Sequence, residues 1–212
     1  MKRFLILLFT IHCSLFTIHC SLFTLSAQQT ADVRRQISQA AASLKSMQCD
    51  FVQTKQLRLL NDRLVSRGKM YYQQGNRLRW EYLSPYTYSF ILNGQKVLLK
   101  NSRRQDVIDT SQNKLFGEIA RIMMKSVTGQ SLTDDRDFKT TIATTPSEWV
   151  ATLVPQRKDM RQMFQQIILH VSRKQSMVTQ VELVEKKGDR TIIELKNVKV
   201  KETLPATLFV LD

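Results

Sequence analysis

The chain has 212 residues, 42% of them hydrophobic and 24% charged, and its 32 Lys and Arg against 18 Asp and Glu give a net charge of +14. That composition excludes wholesale disorder, and six Gly with four Pro exclude collagen-like and low-complexity chains. At roughly 150 residues per domain, the length suits one domain or two.

Lys2 and Arg3 open the chain, an apolar run follows to about Leu25, and the small residues Ser26 and Ala27 precede polar Gln28 and Gln29. This is the pattern of a secretory leader, and we expect residues 1–27 to be removed on export. The alternative is a retained anchor, because residues 4–25 are long enough to span a bilayer. The leader holds Cys13, Cys20, His12 and His19, so the remaining chain keeps Cys49 and His170 alone of those types. It also keeps 30 Lys and Arg against 18 Asp and Glu, a net +12. One Cys makes no internal disulfide, and one His with one distant Cys makes no ordinary zinc set. There is no G-x-S-x-G, no H-E-x-x-H and no phosphate-binding glycine loop. An enzyme is therefore not expected, nor a catalytic residue, metal or cofactor.

Residues 31–47 predict an amphipathic helix, with Val33, Ile37, Ala40, Ala41, Leu44 and Met47 at helical spacing. From Cys49 the period becomes two. Met70 and Tyr72 share a strand face that ends at Gly75-Asn76. Leu78, Trp80 and Tyr82 share the next, with Arg77, Arg79 and Glu81 opposite. After Pro85, Tyr86, Tyr88, Phe90 and Leu92 share a third face, and Asn93-Gly94 signals a hairpin into Val97 and Leu99. Residues 114–127 interrupt the alternation with a second amphipathic helix carrying Leu115, Phe116, Ile119, Ile122, Met123 and Met124. Strands resume at 138–144 and 148–154, a short helical piece fits 158–164, and strands follow at 166–172, 178–184 and 191–200. Residues 208–211 read as a last strand.

The fold class is thus mainly β (α+β), a single domain over residues 28–212. It is a large curved antiparallel sheet of ten or eleven strands with two or three helices. A twisted sheet of that size curls or closes, and the helices are too few for an outer layer, so they are placed as a lid on the concave face. The dry face carries Phe51, Tyr72, Leu78, Trp80, Tyr82, Tyr88 and Phe90. From pattern alone it is either a filled core or a hydrophobic pocket.

Phe51-Val52-Gln53, Gly68-Lys69-Met70-Tyr71, Leu78 to Pro85 with its W-x-x-x-x-P, and Leu92-Asn93-Gly94 follow one another in a distinctive order. In these motifs the chain resembles the periplasmic outer-membrane lipoprotein carrier (LolA-like) family. The resemblance implies an incomplete barrel lidded by helices, whose cavity shields lipoprotein acyl chains between inner and outer membrane. It places Leu78 and Trp80 in that cavity. The candidate lipid-binding set is Phe51, Tyr72, Leu78, Trp80, Tyr82, Tyr88 and Phe90 from the sheet, with Leu115, Phe116, Ile119, Ile122 and Met123 from the second helix. Partners implied are an inner-membrane lipoprotein-releasing transporter and an outer-membrane acceptor. A monomer is expected, and no nucleic acid. Family members carry an Arg-Pro pair that ties lid to barrel; here those positions read Gln74-Gly75, so the latch differs. That difference keeps open a related barrel that binds or senses another envelope lipid or glycolipid.

Overall fold

A computed structural model describes residues 23–24, 26–60, 62–133 and 136–212. The predicted leader therefore lies almost wholly outside the described residues. The two residues Phe23–Thr24 (β1) pair antiparallel with Thr144 and Ala143. Among the described residues, no helix is long and apolar enough to cross a membrane.

Helix α1 (Ala27–Ser43) opens on a capping box in which Ser26 and Gln29 each satisfy the other's backbone N–H. It starts and ends earlier than the predicted 31–47. Met47, expected on the helix, is the second residue of β2 (Ser46–Leu57). Its position fits helical spacing after Ala40 and Leu44, but it equally fits the period-two series Met47, Cys49, Phe51. Pairing to strands on both sides decides for the strand, and all three side chains are buried.

The chain then runs as a meander through β3 (Asp62–Gln73), β4 (Arg77–Ser84), β5 (Tyr88–Asn93), β6 (Lys96–Asn101) and β7 (Gln105–Asp109). Helix α2 (Lys114–Thr128) follows, its N-terminus capped by the Asn113 side chain, which accepts from Phe116 N. Gly129 ends it with φ +83, and a Cβ there would stand 2.9 Å from Ile37 Cγ2. The glycine thus supplies both the left-handed turn and the close approach of α1. A 3-10 turn, Gln130–Thr133, leads into β8 (Phe138–Thr144) and β9 (Glu148–Pro155). The short α3 (Lys158–Met163), β10 (Phe164–Ser172), β11 (Met177–Glu185) and β12 (Arg190–Lys201) complete the sheet.

All pairings are antiparallel, in the order β1-β8-β9-β10-β11-β12-β2-β3-β4-β5-β6-β7. The join of β12 to β2 sets the last strand beside the first long one. Among the described residues β7 pairs only with β6, so the sheet described is open at that edge. Its apolar face packs in two clusters. One gathers Val33 and Ile37 of α1, Ile122 of α2 and the buried positions of β8–β11, Trp149 among them. The other gathers Phe51, Met70, Tyr72, Leu78, Trp80, Phe90 and Leu92 under Ala120 and Val127 of α2.

Residues 208–211 are not a strand. After Pro205 the chain makes a 3-10 turn, Ala206–Phe209, that lies against β4 and β5 on the face opposite the helices. Asn93 Nδ2 donates to the Phe209 carbonyl at 3.1 Å, and Phe209 is buried. Part of the outer face expected to be wet is therefore covered, and Ile91 and Leu98 are buried there.

Candidate functional site

Beneath α2 lies a cleft of about 210 Å³ with an almost wholly apolar lining. Its roof is one side of the helix: Ile119, Ile122, Met123, Ser126 and Val127. Its floor comes from both halves of the chain. Trp80 and Tyr82 of β4 and Gln53 of β2 form one wall; Val181 and Leu183 of β11 and Thr191 and Ile193 of β12 form the other.

The aromatic wall depends on a missing side chain. Gly68 pairs with Phe51 on one side and Tyr82 on the other. The Phe51 ring leans into the space this leaves, within 2.7 Å of where a Cβ would sit. There it stacks on Trp80 (centroids 4.5 Å, tilted 32°) and meets Tyr82 edge-on at 5.2 Å. Tyr82 donates its hydroxyl proton to Gln53 Oε1 at 2.9 Å. Burial pushes its phenol up to about 12, Tyr86 adds to the rise, and the Trp80 indole and Gln53 oppose it. The phenol stays neutral, so the cleft presents no charge of its own.

An ionic cluster pins the other flank of α2. Arg121 pairs with Glu118 at 2.6 Å and with Asp137, and Arg157 reaches Glu118 at 3.1 Å. The helix is therefore held at one side and roofs an apolar space on the other.

Of the twelve residues expected to bind lipid, Trp80, Tyr82, Ile119, Ile122 and Met123 converge on this cleft. Ile122 is also buried in the cluster shared with α1. Phe51 supports the cleft from below without lining it. Leu78 and Phe90 are packed within the β2–β6 cluster. Tyr72 borders a separate, more polar cleft of about 490 Å³ with Gln74, Arg121 and Lys125. Tyr88 lies outward of Tyr82, centroids 6.2 Å apart, on a cleft rimmed by Arg79 and Lys100. Phe116 is half-buried and outside the apolar cleft, and the Leu115 side chain lies outside the described residues. Sequence reasoning missed Gln53, Ser126, Val127 and the entire β11–β12 wall. Val181, Leu183, Thr191 and Ile193 alternate as in any strand, so the sequence signals a strand face there but not a cleft wall.

Residues 42–212 match the family described as outer membrane lipoprotein carrier protein LolA. The chain belongs to that family. It is a family of carriers, not of enzymes. A relative named outer-membrane lipoprotein carrier protein, from Legionella pneumophila (strain Corby), is 27% identical over 179 residues, covering 81% of this chain and 85% of that one. Among solved structures, MucB superposes with a TM-score of 0.53 at 12% identity, over 87% of this chain and 63% of MucB. An uncharacterized conserved protein from Thermus thermophilus superposes with a TM-score of 0.50 at 11% identity, over 85% of this chain and 93% of that one. These structures share the fold.

Against the LolA-family pattern, the Gln74 position is informative. Its backbone N–H donates to the Lys45 carbonyl at 2.8 Å, and its Nε2 donates to the Ala42 carbonyl at 2.9 Å. Ala42 is in the last turn of α1, where carbonyls have no partner within the helix. Gln74 thus ties the β3–β4 turn to the end of α1.

Proposed function

We propose that this chain is a periplasmic carrier that shields lipoprotein acyl chains beneath α2 during transit from the inner to the outer membrane. The observation that carries the reading is the apolar cleft between a one-side-pinned helix and an aromatic floor, in a chain of the carrier family. Each CH₂ kept from water is worth about 0.8 kcal/mol, so an acyl chain crossing an aqueous space needs such a container and no chemistry. The leader, residues 1–27, is removed on export, and the mature protein works as a monomer. It takes cargo from an inner-membrane lipoprotein-releasing transporter and hands it to an outer-membrane acceptor.

At about 210 Å³ the cleft is smaller than the roughly 300–1,000 Å³ of typical ligand pockets. It accepts a segment of one chain, and fuller loading moves α2 outward from the floor. Trp80 reports this directly. Trp149 is the other tryptophan and sits in the opposite cluster. In a Trp149→Phe background, palmitate or a lipopeptide is expected to shift Trp80 emission to the blue. Unchanged emission at saturating lipid, with binding measured independently, overturns a cleft-bound chain.

A further inference from the structure

The β2–β3 hairpin projects past the body of the sheet. β2 and β3 stay paired as far as Leu57 opposite Asp62, whereas β3 meets its last β4 partner where Arg67 faces Ser84. Residues 62–66 therefore have β2 alone beside them, an overhang of about 17 Å at a strand's rise per residue. The tip is apolar: Leu59 is 87% exposed, Leu60 71%, Leu64 52% and Val65 41%. Single exposed leucines are ordinary, but turns are usually built from Gly, Asn, Asp, Ser and Pro, and large apolar side chains crowded on one protruding turn form a patch. The β11–β12 turn stands beside it, joined by Arg58 N, which donates to Asp189 Oδ1 at 3.0 Å. Residues 55–67 and 185–190 hold seven Lys and Arg against three Asp and Glu. Lys55 pairs with Glu185 and Arg190 with Glu182, while Arg58, Arg63, Lys186 and Lys187 are exposed on the two turns. The apolar cleft reaches the same end. Its wall residues Leu183 and Thr191 face each other one rung from Val184 and Arg190, the last sheet pair before that turn.

We propose that this end of the sheet docks on an anionic lipid bilayer, with Leu59 and Leu60 entering the acyl boundary and Arg58, Arg63, Lys186 and Lys187 meeting the lipid phosphates. One weak signal attaches a protein to a membrane only marginally, and apolar insertion combined with a basic patch holds it at the surface. A bilayer suits the tip better than a protein groove does. Alternation sends Leu64 and Val65 to opposite faces of the hairpin, yet both are exposed, so the tip is apolar all round. A groove covers one face of such a hairpin, whereas lipid surrounds it. The docking goes beyond the carrier reading and stands without it; if both hold, the cleft lies at the end of the sheet nearest the membrane.

The test is flotation of the protein, as recovered after export, with vesicles of phosphatidylcholine alone or with about 30 mol% phosphatidylglycerol. Binding to the anionic vesicles is expected to be about tenfold tighter and to weaken as salt is added. The double variant Leu59→Ser, Leu60→Ser is expected to lose about tenfold in that affinity, and Arg63→Gln with Lys187→Gln to lose most of the preference for anionic lipid. All four positions are exposed, and thermal melting checks that each variant folds. In a Cys49→Ser background, an environment-sensitive dye on Leu60→Cys should shift to the blue on anionic vesicles. The same dye on Gln95→Cys, in the exposed turn after Asn93 at the other end of β4, should not. Equal binding to the two vesicle types, or binding to neither, overturns the proposal, the second leaving the surface to a protein partner. Anionic-vesicle binding that either double variant fails to weaken overturns it, and so does a blue shift at position 95 without one at 60. None of these results touches the carrier reading, because the substituted residues lie outside the cleft and the palmitate response of Trp80 is read separately.

Discussion

The Phe51 ring occupies the place of the side chain that Gly68 lacks, its Cζ 2.6 Å from where a Cβ would be. The same Cβ would lie 1.9 Å from the Glu81 carbonyl oxygen, a backbone atom that cannot swing aside. Gly68→Ala is therefore expected to destabilise the fold by about 3 kcal/mol, the upper end of ordinary overpacking. It also pushes Phe51 off Trp80. Urea unfolding measures the first effect, and the near-ultraviolet circular dichroism of the aromatic stack measures the second. A variant as stable as the parent would mean that the strands part easily at this point and that the stack is not rigid.

Ile119 and Ile122 are neighbours on α2 with different duties. Ile119 is half-buried on the cleft, whereas Ile122 is also buried against the cluster that includes Val33 and Ile37 of α1. Ile119→Glu is expected to weaken fatty-acid binding more than tenfold with about 1 kcal/mol lost from stability. Ile122→Glu leaves an unpaired charge in the core and is expected to cost about 3–5 kcal/mol. Melting curves beside binding isotherms separate the two. Equal destabilisation by both would make the whole inner face of α2 core and remove the helix as a lid.

The two tryptophans also mark how far sequence reading reaches. The alternation of Leu78, Trp80 and Tyr82 against Arg77, Arg79 and Glu81 announces β4 and its buried face, because polarity and size change together at each residue. It does not say which of the three meets a cavity. Leu78 and Trp80 share a face, yet Leu78 is sealed among side chains while Trp80 borders the cleft, a difference set by where α2 crosses. The β11–β12 wall is illegible for another reason. Val181, Leu183, Thr191 and Ile193 look like any strand, and only the pairing of β12 with β2 brings them opposite Trp80. β7, with Val107 and Ile108 adjacent in its five residues, offers no alternation at all. Ser26 reads in the sequence as a small residue at the exit of the leader; in the full chain it also caps α1, a cap that the proposed removal of residues 1–27 takes away.

Gln74 holds the end of α1 through one side-chain bond to the Ala42 carbonyl. Gln74→Ala removes that bond from an exposed site, so the expected loss is about 1 kcal/mol and confined to the helix end. Amide hydrogen exchange should quicken in the last turn of α1 and stay unchanged in β3 and β4. If the exchange of α1 does not respond, the backbone bond from Gln74 N to the Lys45 carbonyl is sufficient and the side chain is no latch.

Cys49 is a free thiol, buried on the inner face of β2. Burial, with the Asp50 carboxylate adding to it, pushes the thiol up to about 12 from an ordinary 9.0. At pH 8 roughly one folded molecule in ten thousand carries the thiolate, so disulfide reagents should label Cys49 only as fast as the sheet opens. The same shift makes stability fall with alkali. Below pH 9 both folded and unfolded chains hold the proton, and the thiol contributes no pH dependence. Between about 9 and 12 the unfolded chain releases a proton that the native state keeps. The native state then binds more protons, and stability falls by up to about 1.4 kcal/mol per pH unit. Cys49→Ser removes this contribution and nothing else that titrates. The difference in urea-unfolding free energy between the parent and Cys49→Ser should therefore be level from pH 7 to about 9 and decline from there to pH 11. A level difference across the whole range would mean that the thiol ionises in place, which a sealed β2 face does not allow.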